Sequence, residues 1–99
     1  MHLVFPAFPV PTLAIAGTDA RYPVRRVYCV GRNYVEHAKE MGFTGREPPF
    51  FFMKPADAVV PVEPGAVASV AYPSLTKDLQ HEVELVVAIG KEGRDIPAA

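Results

Sequence analysis

"VRRVYCVGRNYVEHAKEMG", residues 24–42, carries two periodicities joined by a glycine. The first part, "VRRVYCVG" (24–31), is β-branched and apolar, and reads as a buried strand ending at Gly31. The second, "NYVEHAKEMG" (33–42), has Asn33 as a helix N-cap, helical residues from Tyr34, and Gly42 as a left-handed stop. A strand, a glycine turn and a short helix make a frame on which polar side chains can be held, and such turns often carry binding groups. On the helix, His37 and Glu40 are spaced i, i+3 and so share a face. A carboxylate beside an imidazole orients it and raises its basicity, and the imidazole can then accept a proton from water. The plainer reading of the same spacing is an exposed surface pair.

Upstream, residues 2–16 are apolar and broken by prolines, as in an edge strand or an arm, and "GTDARYP" (17–23) is a polar turn. Downstream, "TGREPP" (44–49) is a loop and "FFFM" (50–53) a short aromatic strand closed by Lys54 and Pro55. "DAVVPV" (57–62) reads as another short strand, and "EPGAVA" (63–68) as a turn followed by more strand. Leu79–Ile89 is the longest and most β-branched run, expected to be a strand that needs both faces covered. "GKEGRDI" (90–96) resembles a hairpin turn. Eleven prolines keep helices short and favour strands joined by rigid turns.

Within "HEVELVVAIG" (81–90), Glu82 and Glu84 fall on one face of a regular strand, opposite His81, Val83 and Leu85. Two carboxylates about 4 Å apart repel by roughly 4 kcal/mol at an effective dielectric near 20. Water relieves that repulsion on a solvated face, whereas a hard divalent cation turns it into attraction. Arg32 and Lys54 each follow a hydrophobic strand and could grip a carboxylate-bearing substrate, or stand as solvated charges. Asp57 and Asp78 are turn residues, and Cys29 is a small core residue more readily than a nucleophile.

Composition narrows the classes. Hydrophobic residues at 49% and charged ones at 21% suit a folded chain of one small domain or part of a larger one. A net charge of -1 makes no case for nucleic acid or an anionic membrane. The single cysteine excludes an internal disulfide and fits a reducing, cytoplasmic setting. No apolar run approaches a membrane span, and the proline-broken N-terminus without a basic region is a poor signal peptide.

Three motifs in order, "YCVGRNYVEHAKEMG", "PPFFFMKPADAVVP" and "HEVELVVAIGK", resemble the N-terminal half of the fumarylacetoacetate hydrolase family. "GTDARYPVRRVYCVGRNY" and "REPPFFFMKPADAVVP" look most like its bacterial fumarylpyruvate hydrolase branch. The resemblance runs from about Leu13 to Ala99. It implies an α+β, mostly β fold: the N-terminal portion of a mixed β-sandwich roll with a short helix. Residues 1–23 would form an arm and turn, and 24–99 the part bearing catalytic-site residues. It implies a metal-dependent hydrolase of carbon–carbon bonds in acylpyruvates such as fumarylpyruvate, a step in aromatic catabolism. The cation would be Mg²⁺, with Mn²⁺ or Ca²⁺ as alternatives. The substrate would be a small dioxo acid, and the assembly a homodimer.

By the same resemblance, Glu82 and Glu84 match the two metal-binding glutamates, and His37 and Glu40 the water-activating pair. Arg32 and Lys54 match positions near the substrate. The family's third metal ligand is an aspartate well beyond the Glu-x-Glu strand, and a further catalytic lysine follows it. Asp95 comes too soon to be that ligand, so the 99 residues are expected to be a piece of a longer catalytic domain. Oxaloacetate decarboxylation or isomerisation of an unsaturated oxo acid would use the same metal–enolate chemistry. A non-catalytic β-rich module would leave the glutamates as a solvated face.

Overall fold

The computed structural model of the chain describes residues 1–31, 33–42, 44 and 46–99, with Val35, His37 and Ala38 described by backbone alone. The expectations placed on Arg32 and on the His37 side chain therefore lie outside the described residues. The chain divides into two units, Met1–Ser69 and Val70–Ala99.

The first unit contains two small antiparallel sheets and little helix. Strand β1 (Thr12–Ala14) pairs with β2 (Arg21–Pro23) in the register Thr12 with Pro23, Leu13 with Tyr22, and Ala14 with Arg21. The hairpin closes through a turn in which Thr18 N–H donates to the Ile15 carbonyl at 3.4 Å. Gly17 has φ of 78° there, at the third turn position, where only a residue without Cβ is comfortable. The Thr18 hydroxyl then accepts from Ala20 N–H at 3.1 Å, a local turn of the kind short hydroxyl side chains make. The expected edge strand over 2–16 is thus confined to three residues, and part of the expected 17–23 turn is strand β2.

Strand β3 (Arg26–Gly31) pairs with β4 (Phe50–Pro55), from Arg26 opposite Pro55 to Gly31 opposite Phe50. β3 begins two residues later than the pattern predicts. Val24 N–H donates to the Pro11 carbonyl at 2.8 Å, so Val24 is held to the first hairpin. Val24 is also the one hydrophobic side chain among the described residues that is buried, at 7% exposure. β4 runs past the aromatic stretch to Pro55, so Lys54 lies inside the strand opposite Val27 rather than beyond its end.

Helix α1 (Val35–Glu40) starts one residue later than expected, and its stop is where the sequence puts it. Gly42 has φ of 88°, and its N–H donates to the Lys39 carbonyl at 3.0 Å. In the following loop Glu47 Oε1 accepts from both Thr44 N–H, at 2.9 Å, and the Thr44 hydroxyl, at 3.0 Å.

The expected strand over 57–62 does not form. Ala56–Ala58 make one turn of 3₁₀ helix, closed by Val59 N–H to the Ala56 carbonyl at 3.2 Å. Prolines at 55, 61 and 64 have no N–H to give a ladder, which leaves little continuous donor edge here. The turn at 63–66 does form: Ala66 N–H reaches the Glu63 carbonyl at 2.9 Å, with Pro64 and Gly65 (φ 79°) in the central positions, but no strand follows it.

The second unit holds no helix or strand. The largest departure from expectation is here, because Leu79–Ile89 is not a strand. A strand exists only through ladder bonds to a neighbour, and this unit offers no second strand to supply them. Side-chain hydrogen bonds order its first part. The Tyr72 hydroxyl accepts from Leu79 N–H at 3.1 Å, and the Thr76 hydroxyl from Asp78 N–H at 3.1 Å. Gln80 donates to Asp78 Oδ1 at 3.0 Å. Asp78 lies outside the turn at Ser74–Leu75 and just past the bend at Lys77, and Asp95 sits at φ 49° in the bend beyond the apolar run. No helix among the described residues is long and apolar enough to cross a membrane.

Candidate functional site

In the first unit, α1 carries the backbone of His37 and Glu40 one helical turn apart, which places both positions on one side of the helix. The helix is six residues long and is ended by Gly42. Glu40 is exposed.

Lys54 projects from β4. Residues paired across a ladder share a face, and alternate residues along a strand do too. Lys54 therefore stands on the same face of the sheet as Phe50 and Phe52, with Val27, Cys29 and Gly31 from β3. The rings of Phe50 and Phe52 pack with centroids 6.0 Å apart and planes inclined by 31°. Cys29 is half-buried beneath this row, in keeping with a packing role. An ammonium at the end of an aromatic row can meet an anion by charge. The opposite face carries Arg26, Tyr28, Val30, Phe51, Met53 and Pro55.

A different polar cluster ties the first unit together. Arg21 donates from Nε to the Thr12 hydroxyl at 2.7 Å, and from a terminal nitrogen to the Thr12 carbonyl at 3.2 Å and to Glu63 Oε1 at 2.8 Å. The hydrogen bond from Arg21 holds the Glu63 carboxyl below its ordinary value; slight desolvation opposes this and the arginine charge aids it. Sequence reasoning missed this clamp, and a lone Arg and Glu 42 residues apart offer no periodic signal by which to find it.

In the second unit, Glu82 and Glu84 are both exposed, on a run without regular secondary structure. Their side chains offer hard oxygen donors, the chemistry a divalent cation of the Mg²⁺ class takes. Among the described residues no group of three or more His, Cys, Asp or Glu side chains converges as a cage for a metal ion.

The family model described as the C-terminal domain of fumarylacetoacetate (FAA) hydrolase matches residues 26–99, about three quarters of the chain. The chain belongs to the fumarylacetoacetate hydrolase family. Among solved structures of relatives, the crystal structure of fumarylpyruvate hydrolase from Pseudomonas aeruginosa, in complex with Mn²⁺ and pyruvate, is 58% identical with a TM-score of 0.71. The match covers 77% of this chain and 33% of that one. A mitochondrial oxaloacetate decarboxylase of Dictyostelium discoideum is 44% identical over 73% of this chain and 32% of its own. A mitochondrial oxaloacetate tautomerase of Mus musculus is 43% identical over 76% of this chain and 32% of its own. This member of the fumarylacetoacetate hydrolase family thus spans about a third of the length of the relatives it matches.

Proposed function

We propose that this chain contributes the His–Glu and Glu-x-Glu parts of a divalent-metal-dependent acylpyruvate hydrolase built on a β-sandwich roll, with fumarylpyruvate as the substrate type. The observation that carries the reading is the 58% identity and TM-score of 0.71 to the Pseudomonas aeruginosa fumarylpyruvate hydrolase, whose crystal structure holds Mn²⁺ and pyruvate. The activity is that of a whole protein in which residues beyond these 99 complete the roll and pair as a homodimer.

In this reading Glu82 and Glu84 hold the cation, Mg²⁺ or Mn²⁺, through charged carboxylate oxygens. When bound, it supplies positive charge against the enolate that develops as pyruvate leaves. His37 accepts a proton from the attacking water, and Glu40 orients the imidazole and stabilises its charged form. The water's oxygen bonds to the distal carbonyl carbon, and the electron pair of the broken carbon–carbon bond passes into the pyruvate enolate, which is then protonated. Lys54 and Arg32 offset negative charge on the substrate carboxylate or on the tetrahedral intermediate.

A second reading rests on the oxaloacetate decarboxylase and oxaloacetate tautomerase relatives, at 44% and 43% identity. Decarboxylation and tautomerisation share the enolate but need no attacking water, so they do not call on His37 to activate one. Parallel assays of the whole protein with fumarylpyruvate and with oxaloacetate separate the two. Metal-dependent appearance of pyruvate and fumarate from fumarylpyruvate, with slower turnover of oxaloacetate, is expected. Turnover of oxaloacetate alone would overturn the hydrolase assignment in favour of the second reading.

A further inference from the structure

We infer that Thr12 is a positioning residue for Arg21: it holds the guanidinium where Glu63 fastens the turn at 63–66 to the β1–β2 hairpin. The inference stands apart from the reaction proposed above. Ala14 lies opposite Arg21, and Thr12 comes two residues before Ala14, so Thr12 and Arg21 are diagonal neighbours on one face of the hairpin. Such a diagonal is about 7–8 Å, within reach of a long side chain. Arg21 spans it: Nε donates to the Thr12 hydroxyl at 2.7 Å, and a terminal nitrogen to the Thr12 carbonyl at 3.2 Å. That carbonyl can take no ladder bond from the residue opposite, Pro23, which has no N–H.

Two bonds to one residue fix both the position and the plane of the guanidinium. The same terminal nitrogen carries two hydrogens, enough for the Thr12 carbonyl and for Glu63 Oε1 at 2.8 Å. Glu63 is itself placed by its turn, where Ala66 N–H donates to its carbonyl at 2.9 Å. A free arginine would have to be ordered afresh to meet an exposed carboxylate, and pairs formed that way contribute little. Held by Thr12, Arg21 meets Glu63 with that ordering already done. The lowered titration of the Glu63 carboxyl has this hydrogen bond as its first cause. The length of chain between the partners does not oppose the contact. Arg26 lies opposite Pro55, so only residues 22–25 and 56–62 stand between the β3–β4 sheet and the pair.

The test uses the whole protein with Thr12→Val, Thr12→Ser and Arg21→Gln, and with Thr12→Val added to Arg21→Gln. Valine keeps the size and β-branching of threonine and removes only the hydroxyl. In each protein the Glu63 carboxyl is titrated by NMR and amide exchange is measured at Ala66. Thr12→Val should raise the Glu63 titration toward the ordinary glutamate value. At a pH where the carboxyl is ionised, it should speed exchange at Ala66 by up to about fivefold, the worth of an exposed pair. Thr12→Ser retains the hydroxyl and should behave as the unmodified protein does. With Arg21 replaced, adding Thr12→Val should move neither measure further, because Thr12 acts through the arginine. Leu13 and Tyr22, paired across the hairpin, should exchange as before. An unmoved Glu63 titration in Thr12→Val, no rescue by serine, or a further shift in the double variant would each overturn the inference. So would equal acceleration at Leu13, Tyr22 and Ala66, which would make Thr12 a support of the hairpin itself.

Discussion

Replacing a carboxylate by its amide keeps the shape and removes the charge, which makes Glu82→Gln and Glu84→Gln the sharpest tests at the level of single residues. In the whole protein, either change should weaken Mg²⁺ or Mn²⁺ binding measured by calorimetric titration, because hard cations favour charged oxygen. Affinity unchanged in both variants would leave the glutamates as a solvated pair. His37→Ala should lower turnover by about 10² to 10⁴, the usual worth of a general base, while calorimetry shows metal binding retained. Wild-type turnover in that variant would end the dyad reading. Glu63 supports a prediction of a different kind. Its carboxyl is held low by Arg21, so its contribution is complete above the ordinary glutamate range and is lost as pH falls through the lower, folded value. Acidification should therefore release residues 61–66 from the β1–β2 hairpin. Amide exchange at Ala66 should rise on acidification beyond its intrinsic pH dependence, and Arg21→Gln should abolish the excess. Because both side chains are substantially exposed, the effect on overall stability should be small.

At the level of elements, the turns that hold glycine at positive φ can be tested by adding a single methyl group, whereas the hairpin expected at 90–96 has no strands to join. Gly17 and Gly65 have φ of 78° and 79°, and a Cβ at either would meet nothing within 4 Å. Gly17→Ala and Gly65→Ala should each cost about 1 kcal/mol or more in chemical denaturation of the whole protein, through backbone strain alone. Gly90 has equally open surroundings without positive φ, so Gly90→Ala should be near neutral. Equal effects at all three would show that backbone conformation is not what selects glycine at 17 and 65. The strand–glycine–helix frame of β3 and α1, the aromatic strand β4 and the stop at Gly42 were legible because each is written in local chemistry: β-branching, i+3 spacing, a residue without Cβ. The β1–β2 pairing was only half legible, since proline-rich flanks obscure which three residues find partners. Lys54 was placed past its strand because Pro55 reads as a terminator, whereas an edge strand tolerates proline at its last position. Leu79–Ile89 shows what composition cannot say. Its β-branched residues report a need for cover and are silent about which strand provides it.

For the molecule as a whole, membership of the family was legible from three ordered motifs, and the residues expected to carry chemistry are divided between Met1–Ser69 and Val70–Ala99. The same feature governs how the 99 residues should behave in isolation. Val24 is the one buried hydrophobic side chain among those described, while Phe51 is 66% exposed, Val83 89% and Leu85 85%. Burying a side chain of this size stabilises by about 1.5–3 kcal/mol, so even a few such groups left in water forgo the margin on which a small domain depends. Each sheet has two strands, so both are edge strands, to which a second chain can add. Two glutamates, meanwhile, offer a cation few of the six or more oxygen ligands it takes, and Mg²⁺ surrenders water reluctantly. The isolated chain should therefore self-associate and hydrolyse no acylpyruvate above buffer, with or without added Mg²⁺. Size-exclusion chromatography with light scattering, thermal melting and a substrate assay on one preparation check both parts. A monodisperse monomer that melts cooperatively would show that local turns and two short hairpins suffice to hold these apolar residues in water. Metal-dependent turnover by that monomer would place the whole hydrolytic apparatus within these 99 residues, against the division of labour proposed for them.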